Sequence, residues 1–163
     1  MAPTGIDKGS VQPEALIEVN ECCEVVAGEG GASAETQLHV DIIRNTQAGA
    51  VLHTHSTNGT YLSRLHASKR GVSIEGWEML KGLAGISSHQ TEIRLPIVDN
   101  HQNMEKLSST IRPHLKTAPH GVLVAGHGLY SWGIDLNEAQ RHAEILEFLL
   151  ELCWRNQLLG VKQ

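Results

Sequence analysis

Two short apolar runs in this chain end in histidine. Residues 48–52 lead into His53-Thr54-His55, and residues 122–125 lead into Gly126-His127-Gly128. Apolar runs of this length, bounded by polar and glycine residues, read as buried strands. Alternate side chains of a strand share a face, so His53 and His55 project together, with backbones about 6 to 7 Å apart. His127 stands between two glycines, where the backbone turns sharply and brings the ring inward. Three neutral imidazoles leave one coordination position open, the arrangement of a catalytic zinc site and not of a closed four-ligand structural one. Each piece alone is commoner as ordinary structure. Their joint occurrence at the ends of apolar runs, with Glu35 and Glu78 available as carboxylates, favours a metal. The same imidazoles also accept iron, cobalt, nickel or manganese.

The rest of the pattern alternates strand and helix. Residues 16–19 and 24–26 read as short strands, and Gly28 to Gly31 as a turn before a helix over 33–46, for which Ser33 is a plausible N-cap. A helix over 58–66 follows the histidine pair. A strand at 71–74 precedes a short helix at 78–81, and residues 93–98 form a strand whose Pro96 argues for an edge or irregular position. A helix is expected over 103–116 and a further strand over 130–132. The longest helix closes the chain, opening on Asp135 with Glu138 as a capping box and carrying Ala139, Ala143, Leu146, Leu150 and Cys153 along one stripe. This alternation makes an α/β protein. No composition shift, charge block or repeat interrupts it, so residues 1–163 are read as one domain, long enough to bury a substantial core.

Composition narrows the function classes. Thirteen Lys plus Arg against eighteen Asp plus Glu give a net charge of -5, which is no nucleic-acid footprint. No stretch approaches the roughly 20 apolar residues of a bilayer span, and residues 1–10 have no apolar signal core, so a cytoplasmic protein is expected. The three cysteines suggest neither a disulfide framework nor a thiolate metal site.

The segments Ser33-Ala34-Glu35-Thr36-Gln37-Leu38-His39, Ala50 to Ser56 and Gly126-His127-Gly128 resemble the metal core of the class II aldolase and adducin-type family. Gly5-Ile6-Asp7-Lys8-Gly9, Glu78-Met79-Leu80-Lys81-Gly82, Leu95 to Gln102 and Gly126 to Gly133 are similar to the dehydratase branch of that family, more than to its sugar-phosphate aldolases. The resemblance implies a three-layer α/β/α domain with a central, mainly antiparallel sheet. It also implies a further segment ahead of Gly5, so the chain is expected to be an N-terminally truncated form, less stable and poorly active.

What the resemblance implies for function is a hydro-lyase of methionine salvage. It would use one zinc per subunit to convert 5-methylthioribulose 1-phosphate into 2,3-diketo-5-methylthiopentyl 1-phosphate and water. His53, His55 and His127 would hold the metal, and Glu78 would be the general acid/base. From the residues alone, Glu78 is an ordinary exposed helix carboxylate. Glu35 belongs in the site as a fourth ligand, a base or a substrate contact. Lys81 either meets the substrate phosphate or is a solvated lysine; Ser56 and Thr57 either donate to phosphate or cap the following helix. His39 is expected in a helix core or behind the ligands, and His66, His89, His101, His114, His120 and His142 as surface or structural residues. A homotetramer with sites near subunit interfaces is expected. Two other readings stand beside this one. A class II aldolase acting on a phosphorylated ketose would use Glu35 as base, and a non-catalytic adducin-like module would have lost metal ligands that this chain retains.

Overall fold

Helices on both faces of one mixed sheet are what the computed structural model shows; it describes residues 1–7 and 9–160. Lys8 of the Gly5 to Gly9 motif lies outside the described residues. The strands are β1 (Glu18–Val19), β2 (Val25–Ala27), β3 (Ala50–Thr54), β4 (Gly71–Ile74), β5 (Ile93–Val98), β6 (Gly121–Val124) and β7 (Gly128–Gly133). The helices are α1 (Thr36–Asn45), α2 (Thr57–Leu65), α3 (Met104–Ile111) and α4 (Leu136–Leu158). β1 and β2 pair with each other, and the remaining five strands run in the order β3-β7-β6-β5-β4, antiparallel except between β5 and β6. No described helix is long and apolar enough to cross a membrane.

Strand alternation sorts the side chains between two cores. Leu95 and Ile97 of β5, Leu123 of β6 and Leu129 of β7 pack with Leu62 of α2 and with Leu146, Leu149 and Leu150 of α4. Val98, Val122, Val124, Tyr130 and Trp132 face the other way, onto Leu38 and Ile42 of α1 and Leu107 and Ile111 of α3. Buried on both faces, β6 reads as a continuous apolar run.

The helix ends follow from their caps. Ser56 Oγ accepts the Gly59 N–H at 2.9 Å, Asn103 Oδ1 that of Lys106 at 2.8 Å, and Asp135 Oδ1 that of Glu138 at 2.8 Å. Each satisfies one orphan donor, a contribution of about 1 kcal/mol. The expected capping box at α4 is displaced by one residue, since Glu138 accepts from the Ile134 N–H.

Four sequence expectations are corrected. α1 begins at Thr36, because Ser33 turns the chain first, its carbonyl accepting from both Thr36 N and Oγ1. α3 stops at Ile111, where the chain tightens into a 3-10 turn around Pro113, a residue with no N–H to give. Residues 78–82 also form a 3-10 turn and not an α-helix. β5 is an interior strand despite Pro96. Ile97 N–H points to Arg70 on the β4 side, so by alternation the missing donor of Pro96 faces β6, whose ladder starts only at Ile97.

Candidate metal centre

His53 lies in β3 opposite Tyr130 of β7, and the two side chains share the face turned toward α1. Their rings stack at 4.0 Å between centroids and 14° between planes. His55 follows one residue after the end of β3. His127 occupies the tight turn from β6 into β7, with its N–H on the Val124 carbonyl at 3.0 Å and Gly126 at φ +65°. Gly128 closes the arrangement. A Cβ there would come within 2.1 Å of the Thr54 carbonyl oxygen and about 3 Å of both His53 and His55, so only glycine lets the three rings meet.

The ring nitrogens converge. Nε2 of His53 is 2.7 Å from that of His55 and 3.3 Å from that of His127, and His127 and His55 are 3.1 Å apart. Glu35, at the N-cap position of α1, brings Oε1 to 3.0 Å from His127 Nε2 and Oε2 to 3.8 Å from His53 Nε2. A cap carboxylate ordinarily accepts from the helix N–H groups; this one makes no cap bond because it turns to the histidines. One ligand atom from each of Glu35, His53, His55 and His127 fits within 4.8 Å of all the others.

The donor set suits a divalent metal. Zinc–nitrogen bonds of about 2.0 to 2.1 Å at tetrahedral angles separate neighbouring donors by about 3.3 Å, and the three nitrogen pairs lie at or inside that spacing. His53 Nδ1 sits 2.9 Å from the Leu129 carbonyl oxygen, which only accepts, so the proton is on Nδ1 and the Nε2 lone pair faces the cluster. Burial pushes the His53 pKa down to about 3, against the opposing pull of that hydrogen bond, so the ring is neutral at physiological pH. Burial, with the Glu35 carboxylate beside it, raises the pKa of the Tyr130 phenol and keeps it protonated.

The other residues singled out in the sequence fall elsewhere. Glu78 opens the 3-10 turn 78–82, is 71% exposed, and pairs with Lys81 Nζ at 2.6 Å and His89 Nδ1 at 3.5 Å. The Lys81 hydrogen bond holds the Glu78 carboxyl below its ordinary range. Neither residue is in the histidine cluster. Ser56 caps α2 and donates its hydroxyl to Glu147 of α4, so its one proton is spent inside the fold. His39 lies edge-on to Tyr130 at 5.5 Å.

Tyr130, Gly128 and Glu147 are absent from the sequence-based site. Tyr130 gave no signal beyond a strand aromatic. Gly128 belongs to a motif read for its histidine. Glu147 did leave a trace: a charge four residues after Ala143 and three before Leu150 interrupts the apolar edge of α4.

Comparison with known proteins identifies relatives of the chain in family and fold. The family model for the Class II Aldolase and Adducin N-terminal domain matches residues 1–154. A methylthioribulose-1-phosphate dehydratase from Serratia proteamaculans is 42% identical over 162 residues, covering 98% of this chain and 79% of the relative. One from Pseudomonas aeruginosa is 45% identical over 122 residues, 73% of this chain and 59% of the relative. Among solved structures, YgbL from Escherichia coli superposes with a TM-score of 0.77 at 25% identity, covering 95% of this chain and 72% of its own. An L-fuculose 1-phosphate aldolase gives 0.77 at 19% identity, covering 98% of this chain and 70% of its own, a likeness of fold.

Proposed function

This chain belongs to the class II aldolase and adducin N-terminal domain family, and from that premise we propose that it is a methylthioribulose-1-phosphate dehydratase. It is a lyase that removes water from 5-methylthioribulose 1-phosphate to give 2,3-diketo-5-methylthiopentyl 1-phosphate, a step of methionine salvage. The observation that carries the reading is the convergence of His53, His55, His127 and Glu35 on one point, in a chain more than two-fifths identical to a dehydratase over nearly its whole length. The family tie supports a single domain over residues 1–163, one zinc per subunit and a cytoplasmic enzyme. The homotetramer rests on the family tie, and exposed Tyr61 and Leu65 on α2 with Phe148 and Leu158 on α4 are apolar side chains that a subunit interface would cover.

The three imidazoles would hold the metal, with Glu35 available as fourth donor or base. Zinc, when bound, supplies a Lewis acid for the negative charge that gathers on the substrate's C2 and C3 oxygens, a contribution of roughly 3 kcal/mol or more at such positions. Glu78 removes the C3 proton and returns a proton to the C4 hydroxyl as it departs. Glu78 starts ionised, as a base must, but its pairing with Lys81 lowers its pKa and weakens it, so the pair has to open when substrate binds. Lys81 offers its charge to the phosphate.

One observation favours a second reading. Glu35, and not Glu78, contacts the ligand histidines, as an aldolase acting on a phosphorylated ketose would need if Glu35 were its base. Product analysis with zinc-loaded protein and 5-methylthioribulose 1-phosphate separates the two. Mass spectrometry should find one product, lighter by one water, with the carbon skeleton intact. Two carbon fragments would establish aldol cleavage instead.

A further inference from the structure

Beyond the four residues of the cluster, the ligand segment is gripped from behind. β3 ends at Thr54, opposite Leu129, so His55 lies past the last rung of the ladder that aligns His53. Side chains alternate here, and Thr54 projects to the face away from His53, toward α4. There Thr54 Oγ1 donates to Glu147 Oε1, while Ser56 Oγ donates to Glu147 Oε2. One carboxylate thus accepts from the residues immediately before and after His55, which leaves the His55 ring on the opposite side, toward the metal. Ser56 is held a second way, because its Oγ also accepts the Gly59 N–H at 2.9 Å.

α2 packs over the grip: a Cβ at Gly59 would sit 3.0 Å from Ser56 Oγ, tighter than most side-chain contacts, and at an ordinary 3.6 Å from Glu147 Oε2 and Leu150 Cδ1. Thr54, Ser56 and Glu147 are half-buried. Hydrogen bonds to a charged acceptor are stronger than neutral ones, and more so away from bulk water.

We infer that Glu147 is a positioning residue for the metal centre: it sets His55 through Thr54 and Ser56 without touching metal or substrate. The inference rests on the metal reading of the cluster. Partners that orient ligand residues typically contribute about 10- to 100-fold in metal affinity, and that is the effect expected here.

The test measures zinc affinity by chelator competition, the visible spectrum of cobalt(II)-loaded protein, and the melting temperature of the metal-free form. Glu147→Ala should weaken zinc about 10- to 100-fold and change the cobalt bands, with Glu147→Gln recovering part of both because it keeps one acceptor oxygen. Thr54→Val should weaken zinc in the wild-type background and add little to Glu147→Ala, as a shared interaction requires. If Glu147→Ala does not fold, Thr54→Val and Ser56→Ala carry the same measurement. Wild-type zinc affinity and cobalt spectrum in Glu147→Ala, or in both hydroxyl variants, would overturn the inference while leaving the histidine site standing. Wild-type protein that binds no zinc, or binds it equally after His53→Ala, would overturn both.

Discussion

The histidine cluster and the 78–82 turn both carry reactive side chains, and the fold treats them differently. At the cluster the side chains themselves are placed. His53 is stacked on Tyr130 and tied to Leu129, Gly128 admits the three rings, and Glu147 grips the residues around His55. At the turn the backbone is placed and the carboxylate is not. Leu80 and Leu83 are buried, Gly82 leaves no room for a Cβ against Ile145, and Ala84 is held by His142 and His120. Glu78 itself points into solvent and, among the described residues, pairs with Lys81 and His89. A metal site needs donors converging within a few tenths of an ångström, so its geometry is written into sheet register. A proton-transfer group needs its final geometry only with substrate present, and apo contacts of such groups are commonly loose.

The hardest way to break this contrast is to remove a ligand. His53→Ala, His55→Ala and His127→Ala should each leave purified protein nearly devoid of zinc by elemental analysis and without measurable dehydration. Full metal occupancy in all three would dismiss the site. The next effect separates the carboxylates. Glu78→Gln should retain zinc and most substrate affinity while diketone formation falls roughly 10²- to 10⁴-fold, the range for loss of a general acid/base. Were Glu35 the base, that fall would belong to Glu35→Gln, and Glu78→Gln would turn over near normally. Assaying both with bound metal measured in the same samples gives opposite orders under the two hypotheses.

A smaller effect sharpens what placement by backbone means. The glycines beside His127 are needed for different reasons. Gly128→Ala drives a Cβ against the Thr54 carbonyl and two ligand rings, so it should cost about 1 to 3 kcal/mol of stability, as overpacking does, and lower zinc affinity as well. Gly126 has φ +65°, and a methyl group there would meet no heavy atom closer than 3.8 Å, so Gly126→Ala should cost only the left-handed strain, roughly 1 to 2 kcal/mol. Urea denaturation with zinc titration of both variants checks this. Equal zinc affinity in the two would mean that contact at Gly128 does not shape the site.

The same contrast explains what was legible in the sequence. His53, His55 and His127 stood out because strand periodicity and flanking glycine act within a few residues, and the α/β alternation was readable for the same reason. From the residues alone Glu35 was readable only as an available carboxylate, and the family resemblance put it in the site with its role open; its contact with His127 joins distant parts of the chain. Tyr130 depends on β7 pairing with β3, which no local pattern reports, and the break that Glu147 makes in the apolar edge of α4 does not say which residues it meets on β3. Ser56 carried two open readings, and its hydroxyl went to the helix cap and Glu147. Element boundaries moved at Ser33, whose carbonyl takes the Thr36 N–H and hydroxyl in a local turn, and at Pro113, which has no N–H to give, whereas β5 kept its bounds and only its place in the sheet differed.

The smallest predicted effect concerns the anchor of the 78–82 turn and depends on pH. His142 is fully buried, with Nδ1 2.8 Å from the Trp132 carbonyl oxygen and Nε2 3.1 Å from the Ala84 nitrogen. A carbonyl accepts and an N–H donates, so Nδ1 carries the proton and Nε2 must keep its lone pair. Burial lowers the pKa; the Trp132 hydrogen bond and Glu138 pull it up, while the stacked His120 and Arg141 push it down. The folded state therefore binds the proton less readily than the unfolded chain, whose histidine titrates near 6.5. The sign follows: this contribution to stability is complete above about pH 6.5 and is lost as pH falls from there toward the lowered folded value, at no more than about 1.4 kcal/mol per pH unit for one proton. In zinc-free protein, the melting temperature of wild type should drop between pH 7 and 5 more steeply than that of His142→Gln, which is less stable at pH 7 but has no proton to take up. Parallel curves would show that His142 does not titrate on unfolding.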